Sequence, residues 1–252
     1  MAQQQDNAGG TYLYAVIASP GDHAYGPIGI DEGLVYCVSH GAVAAVVSDT
    51  TQRSLRPQRR HLAAHQRVLN RLMEDSSPMP MSFGVIADRP EDIRRILALN
   101  EETLVEGLQR VRGRVEMGLR VRWDVPNVFE YLVARHEGLR AMRDRAFRQG
   151  REPPHEERIE LGRLVEHLLN EDRAAQAERV ERALRACCIE IKENKIREER
   201  ELVSLACLIE RNTVDAFARG VVEVATLFDA NHCFDYSGPW APHNFVDVNL
   251  QM

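Results

Sequence analysis

Apolar and polar side chains alternate most regularly at residues 115–123. A period of two is that of a β-strand with one buried face and one face in water. Shorter runs rich in β-branched and aromatic residues are also typical of strands. They predict further strands at 11–18, 34–39, 42–49, 81–87, 187–191, 202–209, 231–236 and 244–250.

Apolar residues at helical spacing predict amphipathic helices between these strands. Pro90 stands at the first turn of one such helix, and the acidic residues beside it suit the positive end of a helix dipole. A stretch rich in proline, from Gly150 to His155, separates two other helices. The pattern predicts helices at 57–75, from about 88 to 113, from 126 to about 150, at about 156–186 and at 213–229.

The order of these elements divides the chain into two halves. We predict an N-terminal α+β domain at residues 1–112 and a second domain at 113–252. In the second half the order strand, helix, strand, strand, helix, strand is that of a ferredoxin-like domain. Its first helical segment is enlarged into a helical hairpin, and a C-terminal strand extends it as a tail. The predicted fold class is therefore α+β with two domains.

Composition restricts the class of protein further. The chain has 252 residues, of which 44% are hydrophobic and 28% charged, and its formal net charge is -6. It can bury a large core, but it has no apolar run of the roughly 18 residues that a membrane span requires. Because acidic residues are interleaved with the arginines, broad phosphate binding is not expected. We expect a cytoplasmic protein that binds neither nucleic acid nor membrane.

Residues that often carry chemistry occur here without a supporting motif. His61 and His65 have the i, i+4 spacing of a chelating pair, but His-Glu-x-x-His is absent, which favours packing or hydrogen bonding. Cys187-Cys188 has apolar neighbours, so inert buried thiols are favoured over a vicinal disulfide or a reactive thiol. A phosphate-binding glycine loop and a Gly-x-Ser-x-Gly elbow are also absent. We predict no enzyme activity, no catalytic residue, no cofactor and no metal site.

Two segments combine prolines with aromatic residues, and such segments are stiff and carry apolar area that must be buried. One is Pro78-Met79-Pro80-Met81-Ser82-Phe83-Gly84-Val85, and the other is Tyr236-Ser237-Gly238-Pro239-Trp240-Ala241-Pro242-His243-Asn244-Phe245-Val246. We expect four of their residues near the junction of the two halves, in an interdomain core or an exposed binding interface. These candidates are Phe83, Gly84, Trp240 and Phe245.

Together with other blocks in the same order, these segments resemble the gas vesicle protein F/L family (GvpF/GvpL). The resemblance covers most of the chain, from Tyr12 to Val246. Its blocks are Tyr12-Leu13-Tyr14-Ala15-Val16, Gly29-Ile30, 44–48, 64–69, 79–85, Gly113-Arg114-Val115-Glu116 and 238–245. Four positions depart from the family pattern. Ser82 replaces an arginine, Val85 replaces a threonine, Ala241 replaces a proline and His243 replaces a tyrosine.

The resemblance implies a minor structural or assembly protein of gas vesicles, located in the cytoplasm at the vesicle. Its implied partners are the major hydrophobic shell protein (GvpA-like) and other minor gas vesicle proteins. In this interpretation the protein binds the shell protein and supports vesicle nucleation or assembly. The alternative is a ligand-sensing or enzymatic ferredoxin-like protein with a small-molecule cleft, because that fold hosts many functions.

Overall fold

A computed structural model describes residues 9–148 and 153–246 of the chain. Their contacts divide into two compact units. The first comprises the described residues of Met1–Glu116 and Pro239–Met252, and the second is Met117–Gly238. Residues 239–246 thus group with the first unit, whereas the sequence assigned them to the second domain. The domain boundary at 112/113 stays a prediction.

The first unit contains a six-stranded sheet and two helices. The sheet has the order β2-β3-β4-β1-β5, and β6 also pairs with β1. All the pairs described in this sheet are antiparallel. The elements are β1 Gly10–Ala18, β2 Ala24–Gly26, β3 Val35–His40, β4 Val43–Thr50, α1 Arg59–Asp75, β5 Met79–Pro80, β6 Ile86–Ala87 and α2 Pro90–Val111.

Helix α1 packs on one face of this sheet and α2 packs on the other, so β1 is buried on both faces. Tyr12 and Tyr14 of β1 belong to the core under α1, and Leu13 belongs to the core under α2. The register with β4 shifts between Leu13 and Ala15. This β-bulge places Tyr14 and Ala15, which are consecutive, on the same α1 side.

A four-stranded sheet of order β10-β7-β9-β8 and four helices make up most of the remaining chain. The chain order of these elements is the one that led us to predict a ferredoxin-like domain, and this assignment stays a prediction. The α+β class is confirmed by the mixture of sheets and helices. The elements are β7 Arg114–Trp123, α3 Val128–Arg135, α4 Glu137–Ala146, α5 His155–Leu184, β8 Glu190–Glu193, β9 Glu201–Glu210, α6 Val214–Ala225 and β10 His232–Trp240.

The predicted strand at 81–87 is wrong over residues 81–85, whereas Ile86–Ala87 form the strand β6. Tyr12 pairs with Ile86 and Ala15 pairs with Pro80, so three steps along β1 correspond to six along this segment. The excess residues form a loop, and Gly84 takes a left-handed backbone conformation with φ 93° that a strand residue does not adopt. We call residues 81–85 the Phe83 loop.

The helix predicted from residue 126 is also interrupted. His136 is extended, with φ -113° and ψ 108°, so α3 ends before it and α4 begins after it. The Arg140 guanidinium donates to the carbonyl oxygens of Val133 and Ala134 at 3.3 and 2.5 Å. These bonds satisfy carbonyls that the end of α3 leaves without helical partners, which stabilises the break.

Two other predicted strands differ from the structure over the residues that it describes. Cys187 and Cys188 precede β8, because the Cys187 amide donates to the Leu184 carbonyl and completes the end of α5. The strand predicted at 244–250 begins inside a 3-10 turn formed by residues 243–245, and residues 247–250 lie outside the described residues.

We predict that Leu69→Ala destabilises the first unit by about 2–5 kcal/mol, because Leu69 is a fully buried residue of α1 in the core between this helix and the sheet, and its truncation leaves a cavity. Leu62→Ala, on the same helix, is the matched control. Leu62 is 44% exposed, so its truncation should change stability by no more than about 0.5 kcal/mol. Urea unfolding measures both, and equal losses would contradict the packing of α1.

Candidate functional site

Two buried tyrosines of β1 organise the α1 side of the first unit. The Tyr12 hydroxyl lies 2.8 Å from His65 Nδ1 and accepts a hydrogen bond from the Gly84 amide at 3.2 Å. The Tyr14 hydroxyl lies 2.8 Å from Ser48 Oγ and accepts from the Ile30 amide at 2.8 Å. We call Tyr12, Tyr14, Ser48 and His65 the tyrosine network.

Burial keeps this network uncharged near neutral pH. It raises the pKa of Tyr12 to about 12 and also raises the pKa of Tyr14. It lowers the pKa of His65 to about 4, and the nearby His243 adds to this decrease. Since the Tyr12 oxygen accepts from Gly84, its own proton is available to His65 Nδ1. The network is thus suited to positioning backbone rather than to proton transfer at neutral pH.

The Phe83 loop is held by this network. The Phe83 ring centroid lies 6.0 Å from those of both Tyr12 and His65, and Phe83 packs against the α1-side core. Gly84 contributes its amide to Tyr12. The structure therefore brings these two predicted residues together, at one loop of the first unit.

The other two predicted residues flank the C-terminal turn. Phe245 is almost fully buried, whereas Trp240 is 37% exposed. Between them Ala241 packs in the α1-side core. The backbone amide and side chain of Asn244 both donate to the Glu116 carboxylate, at 2.8 and 2.7 Å. A role of the four candidates in an interface or an interdomain core stays a prediction.

An open apolar groove lies on the opposite, α2 side of the sheet. It has a volume of about 630 Å³. Three parts of the first unit line it: the sheet through Leu13 and Val16, the Phe83 loop through Met81 and Val85, and α2 through Ile93 and Ile96. Asp88, Asp92 and Arg95 are the charged residues of its lining. We call this cavity the α2 groove.

Sequence reasoning missed the α2 groove. Residues 81–86 contain more apolar side chains than one face of a strand needs, and this excess was the available signal. The apolar stripe of α2 was visible, but its pattern alone does not distinguish a helix packed along its whole length from one that leaves a gap.

The histidines and cysteines considered in the sequence have the following surroundings in the structure. His65 bonds to Tyr12, and His61 Nδ1 lies 3.3 Å from the Arg56 carbonyl oxygen. Within residues 9–148 and 153–246, no group of three or more His, Cys, Asp or Glu side chains is arranged to hold a metal ion. All five cysteines are free thiols, and burial raises the pKa of Cys187 to about 12. In the same part of the chain, no helix has both the length and the apolarity to cross a membrane.

Comparison with known proteins identifies the family. A protein-family model described as "Gas vesicle synthesis protein GvpL/GvpF" matches residues 10–247. The chain belongs to this family. It is 29% identical over 242 residues to gas vesicle protein F of Streptomyces sp. (strain CB03234), covering 94% of this chain and 99% of that protein. It is 24% identical over 243 residues to gas vesicle protein F of Nostoc sp. (strain PCC 7120 / SAG 25.82 / UTEX 2576), with coverage of 95% and 99%.

Two solved structures share the fold. The crystal structure of GvpF from Anabaena sp. PCC7120 has a TM-score of 0.79 at 24% identity, and the comparison covers 96% of this chain and 99% of that one. GvpF from Microcystis aeruginosa has a TM-score of 0.79 at 20% identity, with coverage of 95% and 99%. These likenesses establish a two-unit α+β fold, and the family membership makes this a gas vesicle-related protein.

We predict that His65 makes stability depend on pH. Its folded pKa of about 4 lies below its ordinary value of 6.5. The unfolded chain therefore binds the proton first as pH falls, and the native state loses stability between those two values. The loss should be on the order of 2 kcal/mol by about pH 5. Well above pH 6.5 His65 is neutral in both states and should contribute no slope.

Urea unfolding of the natural protein and of His65→Gln across this range isolates the contribution of the histidine. Glutamine keeps a hydrogen-bonding group next to Tyr12 but does not titrate. The difference in unfolding free energy between the two proteins should change with pH only below about 6.5. If the unfolding free energies of the two proteins changed in parallel over the whole pH range, the result would contradict a buried, neutral His65.

Proposed function

We propose that this protein binds the major hydrophobic shell protein of gas vesicles (GvpA-like) through the α2 groove and supports vesicle nucleation or assembly. It acts in the cytoplasm at the growing vesicle, as a structural or assembly protein rather than as an enzyme. Other minor gas vesicle proteins are further partners in this proposal. Its starting point is membership of the family, together with the chemistry of the groove.

The observation that carries the proposal is the apolar lining of the α2 groove. A volume of about 630 Å³ is enough for several apolar side chains of a partner segment. The lining combines fully buried side chains of the sheet and of α2, such as Val16 and Ile93, with the partly buried Met81 and Val85 of the loop and Ile96 of α2. Contact with such a surface removes apolar area of both partners from water, which is the main driving force of association between apolar surfaces.

The charge of the chain supports the same role. A shell subunit that exposes apolar surface before assembly tends to aggregate, and a soluble partner that covers this surface keeps it dispersed. The net charge of -6 favours solubility of the resulting complex.

We predict that Ile96→Asp lowers binding of the shell protein at least about tenfold, because it places an unpaired charge in an apolar contact. Ile96 is only partly buried, so the fold should tolerate the change. Leu99→Asp is the matched control, since Leu99 is on the same helix, is 54% exposed and does not line the groove. Purified shell protein and the two variants can be compared by pull-down.

A salt series separates apolar from charged recognition. Binding through the groove should persist at moderate salt, because exposed charges are screened beyond about 8–10 Å whereas apolar contacts are not. Absence of retention at any salt, with normal vesicles in a deletion strain, would contradict the proposal. If Ile96→Asp and Leu99→Asp lost shell-protein binding equally, or if neither lost it, the α2 groove would be rejected as the site.

A second candidate function, the binding of a small molecule, is supported by one observation in the second unit. A cavity there is lined mainly by polar and aromatic side chains rather than by aliphatic ones.

A further inference from the structure

The cavity in the second unit has a volume of about 220 Å³. Its walls come from α3, α5 and the turn between α6 and β10. Three strands also line it, through the buried Trp123 of β7, the buried Leu202 of β9 and His232 of β10. Because the Phe228 ring also lines it, we call it the Phe228 pocket. A volume below the usual range for drug-sized ligands limits the occupant to a small metabolite.

The turn that forms one wall is held in a defined conformation. Asp229 accepts hydrogen bonds from the Asn231 amide at 3.0 Å and from His232 Nδ1 at 2.8 Å. The His232 ring packs edge-on against Phe228, with the centroids 5.1 Å apart. Arg135 donates to the Tyr131 hydroxyl at 2.9 Å and lies 3.8 Å from Asp229. These groups already have partners, so they shape the pocket rather than offer binding capacity.

Three side chains of α5 differ in this respect. Asp172, Gln176 and Arg179 have the spacing i, i+4 and i+7, which places them on one stripe of the helix, and all three line the pocket. The side-chain oxygen of Gln176 is buried and has no donor in the described part of the chain. Among the described residues, Arg179 has no carboxylate partner, and its guanidinium lies 5.4 Å from the Phe228 ring centroid. Asp172 is likewise without a cationic partner there.

This stripe presents an anion, a neutral acceptor and a cation in that order. Seven residues of helix span about 10 Å, which leaves room between Asp172 and Arg179 for a group with an ammonium at one end and a carboxylate at the other. An ammonium donates to a carboxylate and to the orphaned Gln176 oxygen, and a guanidinium binds a carboxylate strongly. Leu227, which is 39% exposed, offers an apolar surface in the same pocket.

We propose that the Phe228 pocket binds a free amino acid with an apolar side chain. The ammonium group contacts Asp172 and Gln176, the carboxylate contacts Arg179, and the side chain packs on Leu227 and Phe228. The pocket lies wholly within the second unit and shares no residue with the α2 groove. This inference is therefore independent of shell-protein binding and adds a site for a small ligand to the protein.

Calorimetric titration of the full chain with leucine, isoleucine, valine, methionine and phenylalanine tests the proposal. At least one of them should bind saturably below about 10 mM, a concentration that corresponds to weak metabolite binding. N-acetyl-leucine lacks the ammonium and leucinamide lacks the carboxylate, so both should bind at least about tenfold more weakly than leucine if leucine is the ligand. Inorganic phosphate tests whether the arginine attracts any anion.

Variants locate the site. Gln176→Leu and Arg179→Gln should each raise the dissociation constant about tenfold or more, since each removes a polar contact to a charged ligand group. Arg163→Gln, an exposed arginine of the same helix outside the pocket, is the matched control and should bind normally. Circular dichroism checks that all three variants are folded.

Three results would overturn the proposal. The first is that none of the five amino acids binds saturably, and the second is that neither pocket variant weakens binding. The third is that phosphate or N-acetyl-leucine binds as tightly as the free amino acid. None of these results bears on retention of the shell protein, so failure here is distinguishable from failure of the proposed function.

Discussion

The burial of β1 on both faces is the constraint on which the first unit depends. A strand that packs under α1 on one side and α2 on the other has no access to water, so every polar group that it carries must find a partner inside the protein. Tyr12 and Tyr14 carry such groups. Their partners come from α1, β4, the turn at Ile30 and the Phe83 loop. Two hydroxyl groups therefore position four segments that are distant in sequence.

Elements with a local signal were predictable from the sequence. The alternation at β7 depends only on its own residues, and the start of α2 at Pro90 follows from the fixed φ of proline. The Phe83 loop was not predictable, because its departure from β1 depends on a hydrogen bond between Gly84 and Tyr12, 72 residues away. The break at His136 similarly depends on a side chain of the next helix, Arg140, bonding to carbonyls of α3.

The candidate sites were harder to predict than the elements for the same reason. Each lining residue of the α2 groove looks like a core residue in its own segment, and only the distance between loop and helix leaves the cavity open. The stripe of Asp172, Gln176 and Arg179 looks like the wet face of a charged helix. This stripe differs from an ordinary wet face because Phe228 and Leu227 form a wall of the same pocket, and these two residues belong to a turn about 50 residues later in the chain. Family resemblance supplied the link to gas vesicles that these local patterns did not.

The Phe83 loop connects the tyrosine network to the α2 groove. Gly84 bonds to Tyr12 on the α1 side, while its neighbour Val85 lines the groove on the α2 side. Because burial keeps both phenols protonated and His65 neutral near pH 7, the loop is held by uncharged groups. Salt has little effect on hydrogen bonds between buried neutral groups, in contrast to exposed ion pairs. The groove wall therefore keeps its position under conditions that would disturb a site held by surface charges, and the docking role that we propose for the groove requires such a wall.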